Sequence, residues 1–331
     1  MTEQELAVAD KTPTHEGVQR AMAKIAAILP KTPLLPLEVD GVTIWCKAEM
    51  LQPIGAFKIR GAWHRLSDLN AEERARGVVG VSSGNHAQGV ALAAREHGAP
   101  AVIVMPSDAP AVKIANTRAL GATVVLYDRA TEDRDEIGAR LSAEQGLTLI
   151  KPFDEPLVIA GQGTTGLEIA EDMNALGITD ADVMVCCGGG GLTSGIALAL
   201  AADAPGLRVR PAEPEDFDDV TRALISGKIE SNVRHDGSLC DAIITPQPGN
   251  LTFPIMQKHC GPGVVVSEDE CMRAVALAFD RLRIVVEPGG AAALAAALFH
   301  PDEFTGDAVI AVATGGNIDA PVFAKALETL R

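Results

Sequence analysis

The stretch VVGVSSGNHAQGVALAAREHG (78–98), followed after Ala99-Pro100 by AVIVMPSDAPAVKIANTRALG (101–121), decides the fold. Each reads as an apolar strand, a polar turn and a helix that closes on a glycine. TVVLYD (123–128) predicts a third short strand, a charged helix follows over 132–145, and TLIKPF (148–153) predicts a fourth strand. Strands alternating with helices at this spacing mean βαβ units and a parallel sheet. Residues 66–153 are therefore expected to form a compact unit of their own.

Towards the N-terminus, Val18, Met22, Ile25, Ala26 and Leu29 recur at helical spacing and predict a helix over 14–29, stopped by Pro30. PLLPLEVDGVTIWCKAEM (33–50) alternates through Asp40-Gly41 as a hairpin does. Beyond residue 58, the pattern Ala62, Leu66, Leu69 predicts a helix running to a charged turn, AEERAR (71–76). The second half repeats the logic on a larger scale. Helix signals at GTTGLEIAEDMNAL (163–176) lead into the strand DVMVCC (182–187), a glycine run, a helix to residue 202 and the strand LRVRPAEP (207–214). A loop-rich region is expected over 226–263, an amphipathic helix over 269–281, a buried small-residue helix at GGAAALAAALF (289–299) and a last strand in DAVIAVATGGN (307–317).

The 331 residues are 47% hydrophobic and 22% charged, so the chain can bury a substantial core. A net charge of −16 argues against nucleic acid or an anionic membrane surface as partner. Any anionic ligand must then be captured by a local positive site. Six cysteines, at 46, 186, 187, 240, 260 and 271, show no CxxC and no paired metal spacing, and read as reduced core residues of a cytoplasmic protein. The acidic N-terminal segment MTEQELAVADK has no apolar targeting region, and no apolar run approaches the ~18 residues that span a bilayer.

Four stretches carry chemistry. In GAFKIRGA (55–62), Lys58 lies between Phe57 and Ile59 and is bracketed by glycines. That placement suits either a lysine snorkelling from a helix start or a desolvated amine with a depressed pKa, as Schiff-base chemistry requires. CCGGGGLTSG (186–195) is a strand end, four glycines and a helix start, whose unshielded N–H groups and positive helix end make a phosphate cradle. It matches neither GxGxxG nor a P-loop. SSGNHAQG (82–89) sits at the ligand-binding end of a parallel sheet, where Asn85 caps the helix or holds a ligand oxygen. ATGGN (313–317) repeats the pattern, with Thr314 as its polar residue.

Taken in this order, the motifs resemble the pyridoxal-phosphate enzymes of the tryptophan synthase β-like fold, and within them the serine/threonine dehydratase and serine racemase family. The resemblance runs from KTPLLPL (31–37) to the last glycine turn. It implies an α/β fold of type II, with two three-layer α/β/α domains and mostly parallel sheets: a discontinuous cofactor-binding domain (1–65 and 154–331) and a small mobile domain (66–153). It implies Lys58 as the covalent anchor, with Phe57 beside the cofactor and Asn85 on its ring hydroxyl. The N–H groups of Gly188, Gly189, Gly190, Gly191 and Leu192 take the phosphate, Thr314 meets the pyridine nitrogen, and Glu287 orients cofactor or substrate groups. A hydroxyl does not hold that nitrogen protonated as an aspartate would, which favours β-elimination over transamination. Two departures stand out: Ala56 replaces a usual serine, and Thr314 replaces serine while keeping the hydroxyl.

The implied activity is dehydration and deamination of small β-hydroxy amino acids such as L-threonine and L-serine, giving a 2-keto acid and ammonia. The substrate loop is Ser82, Ser83, Gly84, Asn85 and His86, and Ser83 matches the opposite-face base of the racemases, so serine racemase is an alternative. Arg134 matches an arginine that some relatives direct at a side-chain carboxylate. This makes 3-hydroxyaspartate dehydratase, giving oxaloacetate, a second alternative; on a solvated helix the same arginine pairs with its acidic neighbours. Glu213, the Phe217 carbonyl and Asp219 match a divalent-cation site, and oxygen ligands suit Mg²⁺, Mn²⁺ or Ca²⁺. The remaining alternative is an acidic solvated loop. The scattered histidines at 64, 97, 235, 259 and 300 read as structural or exposed. A nicotinamide-dependent oxidoreductase is a distant alternative, and a cofactor-carrying protein that has lost turnover through Ala56 is a third. A homodimer is expected, and the end of the chain at Arg331 predicts no isoleucine feedback.

Overall fold

The computed structural model describes residues 13–330 apart from Asp40, Pro110, Arg129 and His235. The acidic N-terminal segment, the aspartate of the expected hairpin turn and one of the scattered histidines therefore lie outside the described residues.

Helix α1 (His15–Ile25) starts on Thr14, whose hydroxyl accepts from the Gly17 N–H at 3.2 Å. It ends four residues earlier than its apolar spacing predicts. The N–H groups of Ile28 and Leu29 both bond to the Ile25 carbonyl, closing the chain into a turn before Pro30. Strands β1 (Leu34–Val39) and β2 (Val42–Ala48) form the expected antiparallel hairpin, with Leu34 opposite Lys47 and Val39 opposite Val42.

Helix α2 (Lys58–Ser67) follows, and AEERAR is itself a helix, α3 (Ala71–Arg76), where a turn was expected. The reason is a capping box. The Asn70 side chain accepts from the Glu72 and Glu73 N–H groups, and the Glu73 carboxylate accepts from the Asn70 N–H. Next come β3 (Val78–Val81), α4 (Asn85–His97), β4 (Ala101–Pro106), α5 (Ala111–Ala119), β5 (Thr123–Tyr127), α6 (Arg134–Gln145) and β6 (Thr148–Ile150). The four strands pair in parallel, in the order β5-β4-β3-β6. Apolar residues of α2, α4 and α5 cover one face, and Ile137 and Leu141 of α6 cover the other.

The chain continues through α7 (Pro156–Leu176), β7 (Ala181–Cys186), α8 (Gly191–Asp203), β8 (Leu207–Pro214) and α9 (Asp219–Ser226). Helix α10 (Thr252–His259) lies inside the region expected to be loop-rich, where no helix was predicted. Thr252 anchors it, accepting from the Gly249 N–H at 2.9 Å and donating to the Gly189 carbonyl at 2.7 Å. After β9 (Val264–Val266) comes α11 (Glu268–Leu277), which passes into a single π-helical turn, Ala278–Leu282. Helix α12 (Pro288–Phe299), β10 (Ala308–Ala313) and α13 (Ala320–Leu327) complete the chain. The second sheet runs β1-β2-β10-β7-β8-β9 and is parallel except at the β1–β2 hairpin. Helices α11 and α12 pack on one face and α7 and α8 on the other, so both sheets are covered on two sides.

Two features of this packing set the positions of α2 and α8. Helix α7 touches both of them backbone to backbone: a Cβ on Gly161 would stand 2.7 Å from the Arg60 carbonyl oxygen, and one on Gly195 2.6 Å from the Gly163 nitrogen. The second is a buried ion cluster. Arg60 donates to both oxygens of Glu49 and both oxygens of Glu168, and Lys47 reaches Glu168 at 2.8 Å. Two cations thus face two carboxylates in the interior with their hydrogen bonds satisfied, as burial of charge demands.

Candidate active site

Lys58 is the first residue of α2, and the segment before it is held by the turn after β10. The Phe57 N–H donates to the Thr314 carbonyl at 3.1 Å, Ala56 bridges Gly315, and the Gly316 N–H donates to the Gly55 carbonyl at 2.9 Å. Gly55 has φ +71°, and a Cβ there would lie 2.8 Å from Asn317 Oδ1, so this position needs glycine twice over. Ala56, fully buried within this pairing, has no room for exposure to ligand or solvent.

The Lys58 side chain is half-buried, but its amine is enclosed; it donates to the Pro152 carbonyl at 2.8 Å, 5.1 Å from the Phe57 ring centroid. Burial brings its pKa down to about 8. His86 sits close by, its Nε2 2.9 Å from the Ile150 carbonyl oxygen. Burial, then the Lys58 charge, push its pKa down to about 3, so it stays neutral beside the amine. Among the predicted substrate-loop residues, Ser82 closes a tight turn by accepting from the Gly84 N–H at 3.2 Å, and Ser83 is half-buried at the end of β3.

Asn85 opens α4 and belongs to a chain of side-chain bonds. Its Nδ2 donates to Glu287 Oε1 at 2.6 Å, and its Oδ1 accepts from Asn317 Nδ2 at 2.7 Å. Burial raises the Glu287 pKa to about 7, and the Asn85 hydrogen bond opposes that rise. Thr314 is buried beside Cys186. Burial pushes the Cys186 thiol up to about 12, against hydrogen bonds from the Ala293 N–H and the Thr314 side chain.

The glycine loop runs from β7 into α8. Gly190, at φ +86°, is the residue before the helix, and Gly189 and Gly191 lie flat against Phe153, where an added Cβ would meet the ring or side chain within 3 Å. The N–H groups of Gly188, Gly189, Gly190, Gly191 and Leu192 find no acceptor among the described residues. The Thr245 hydroxyl, buried and also without a partner there, stands beside Gly188. A cluster of N–H groups at a helix N-terminus with an orphaned hydroxyl is the donor set a phosphate needs, and a desolvated amine such as that of Lys58 is the group a carbonyl cofactor needs for covalent attachment. The residues present fit pyridoxal phosphate.

The predicted cation residues meet at the turn between β8 and α9. Asp216, at φ +67°, bends the turn, so Glu213 and Asp219 face each other. Glu213 accepts from the Val220 and Thr221 N–H groups and the Thr221 hydroxyl, at 2.9, 2.7 and 2.6 Å. Asp219 Oδ1 accepts from Asn232 at 2.6 Å, while the buried Oδ2 has no partner among the described residues. Burial, then the charge of Asp219, raise Glu213 to about 8, and burial raises Asp219 to about 7. Two buried carboxylates, one of them with an orphaned oxygen, Asp219 Oδ2, offer oxygen ligands of the kind a hard divalent cation takes. Arg134, by contrast, is exposed on the first turn of α6, and no contact ties it to Lys58 or Asn85 among the described residues. The acidic cap Asp133 and the solvated helix face account for its position.

Sequence reasoning missed Asn317, Pro152, Phe153, Thr245 and Asn232. Asn317 closes the quoted ATGGN turn and was visible as a second polar residue there. The others carry no local signal, because each acts on a segment distant in sequence.

A desolvated lysine held on the Pro152 carbonyl, with the glycine loop packed on the next residue, Phe153, at the ends of parallel strands, suits a class of enzymes that hold a phosphorylated carbonyl cofactor on lysine. Residues 25–315 match the family described as pyridoxal-phosphate dependent enzyme. The L-threo-3-hydroxyaspartate ammonia-lyase of Saccharomyces cerevisiae is 40% identical over 320 residues, 96% of this chain and 97% of that protein. The L-threonine ammonia-lyase of Thermotoga maritima is 40% identical over 310 residues, 92% of this chain and 76% of that protein. The crystal structure of serine racemase from Dictyostelium discoideum superposes with a TM-score of 0.85 at 36% identity, covering 93% of this chain and 99% of that one. The chain belongs to the pyridoxal-phosphate dependent enzymes, and its fold is that of fold type II.

Proposed function

We propose that this protein is a pyridoxal-phosphate dependent ammonia-lyase that converts small β-hydroxy amino acids, with L-threonine and L-serine as the primary candidates, to a 2-keto acid and ammonia. The observation that carries the reading is the Lys58 amine, desolvated and bonded to the Pro152 carbonyl, together with the unpaired N–H groups of the glycine loop that packs on the adjoining Phe153.

Bound to Lys58 through its aldehyde, pyridoxal phosphate supplies the electron sink for breaking a bond at the substrate Cα. Gly188 to Leu192 and Thr245 would hold the phosphate, Asn85 would donate to the ring oxygen, Phe57 would flank the ring and Thr314 would offer its hydroxyl to the ring nitrogen. Glu287 orients Asn85, while Ser82, Ser83, Gly84 and His86 line the substrate carboxylate. With its pKa lowered to about 8, the Lys58 amine would be neutral enough to take the Cα proton. The Cβ hydroxyl would leave as water with the proton that Lys58 took from Cα, and the released enamine hydrolyses to keto acid and ammonium. His86, with its pKa lowered to about 3, is too weak a base to compete for the proton.

Glu213, the Phe217 carbonyl and Asp219 would hold a divalent cation that stiffens the turn leading from β8. Residues 66–153 act as a mobile small domain closing on 1–65 and 154–331, and the protein works as a cytoplasmic homodimer. A second reading, 3-hydroxyaspartate as the preferred substrate, is favoured by the name of the yeast relative at 40% identity; the exposed Arg134 would have to turn inward to serve it. Ser83 supports a racemase side activity. The test is an absorbance spectrum with its cofactor band near ~410 nm, followed by keto-acid assays on L-serine, L-threonine and the 3-hydroxyaspartate isomers, with and without Mg²⁺. A Lys58→Ala protein that keeps both band and turnover would overturn the reading.

A further inference from the structure

We propose that Asn317 is a positioning residue that fixes which end of the Asn85 amide faces the cofactor ring, using the Ile54 carbonyl as its reference. The proposal rests on the assignment of Asn85 to the ring oxygen made above.

The argument is one of donor and acceptor polarity. Asn317 Nδ2 donates to the Ile54 carbonyl at 2.9 Å and to Asn85 Oδ1 at 2.7 Å. A backbone carbonyl only accepts, so the NH₂ end of Asn317 must face Ile54. The same NH₂ group faces Asn85, which must answer with its oxygen. Asn85 is thereby left with its NH₂ pointing the other way, where one proton goes to Glu287 Oε1 at 2.6 Å. The second proton is the one a ring oxygen can take. Reversed, Asn85 would present a carbonyl to an electron-rich oxygen and lose the bond to Glu287.

The fold makes room for this relay at two glycines. A Cβ on Gly55 would lie 2.8 Å from Asn317 Oδ1, and one on Gly315 would lie 2.0 Å from Glu287 Oε1 and 2.9 Å from Asn85 Nδ2. The relay begins in the segment that leads to Lys58 and ends on the first residue of α4. It therefore sets the anchor and the ring donor against one common atom, at sequence separations of 263 and 232 residues.

The test compares binding of pyridoxal phosphate with binding of its 3-deoxy analogue, which lacks the ring oxygen, by absorbance titration of the full-length cofactor-stripped protein. Wild type should prefer pyridoxal phosphate, and Asn85→Ala should abolish the preference. If Asn317 acts through Asn85, Asn317→Ala and the near-isosteric Asn317→Asp should each weaken pyridoxal phosphate binding by about tenfold to a hundredfold and leave the 3-deoxy analogue within about twofold. The double variant Asn85→Ala/Asn317→Ala should then lose no more than Asn85→Ala alone. Equal weakening of both ligands by Asn317→Asp would mean a staple without polarity control and would overturn the proposal. So would an unchanged preference in both variants. A wild-type protein with no preference, unaltered by Asn85→Ala, would sink the assignment of Asn85 itself; an Asn85-dependent preference indifferent to Asn317 sinks only the relay.

Discussion

At the residue scale, the enclosed amine of Lys58 has a kinetic signature. Burial lowers its pKa from 10.5 to about 8, so the neutral, nucleophilic fraction grows about tenfold per pH unit below 8 and levels off above it. Capture of pyridoxal phosphate by the stripped protein, followed by stopped-flow absorbance, should therefore accelerate from pH 6 to 8 and flatten by pH 9. An acceleration still climbing at pH 10 would mean an ordinary, solvated lysine. Gly315→Ala gives a second expectation at this scale. Its Cβ would overlap Glu287 and displace the Asn85 amide, so cofactor affinity should fall at least tenfold while the cofactor-free protein still folds. Lys58 was legible in the sequence because its apolar flanks and bracketing glycines are local. Asn317 was not, because its meaning depends on Asn85 and Ile54, which only the folded chain brings within hydrogen-bond reach.

At the scale of elements, α2 is fastened by charge. Arg60 is 1% exposed and held by Glu49 and Glu168, so Arg60→Ala would leave two buried carboxylates short of a partner. The expected cost is about 3–5 kcal/mol, read by urea unfolding. Burial alone would raise the Glu168 pKa, but Arg60 and Lys47 outweigh it and hold the group below its usual range. Its stabilisation is therefore present above the unfolded value and lost as pH falls through the folded one, so the gap between wild type and Arg60→Ala should narrow in acid. The turn between β8 and α9 gives a separate expectation. Mg²⁺ or Ca²⁺ should raise the melting temperature of wild type, and Asp219→Asn should remove that response; an equal response in both proteins would exclude the site. Sequence periodicity found nine of the ten described strands, all but the three-residue β9, and the long helices because burial writes itself into spacing; the eight-residue α9 and α13 went unpredicted. It missed α3, whose six residues bury nothing and depend on the Asn70–Glu73 box, and α10, which is held by Thr252 against a loop 63 residues away.

At the scale of the whole molecule, the candidate site draws on both sheets. Asn85 and the Ser82–Gly84 turn come from the four-stranded sheet, while the glycine loop and Thr314 come from the six-stranded one. If 66–153 closes on substrate, hydrogen exchange should slow on 82–89 and on α5 when L-serine is bound, and stay unchanged on β7 and β10. Uniform slowing across both sheets would argue for tightening without domain closure. The glycine contacts along α7 bear on a different matter, the tolerance of this architecture to drift. Lys58, the proposed anchor, begins one helix and the proposed phosphate cradle begins another, and both helices rest on α7 at bare backbone. Side-chain packing elsewhere can swell or shrink with each substitution, carrying its layer along with it. Where peptide meets peptide there is no such shim. The span between amine and cradle is thus gauged against a fixed stop, as it must be when the thing measured is one rigid molecule whose length never changes.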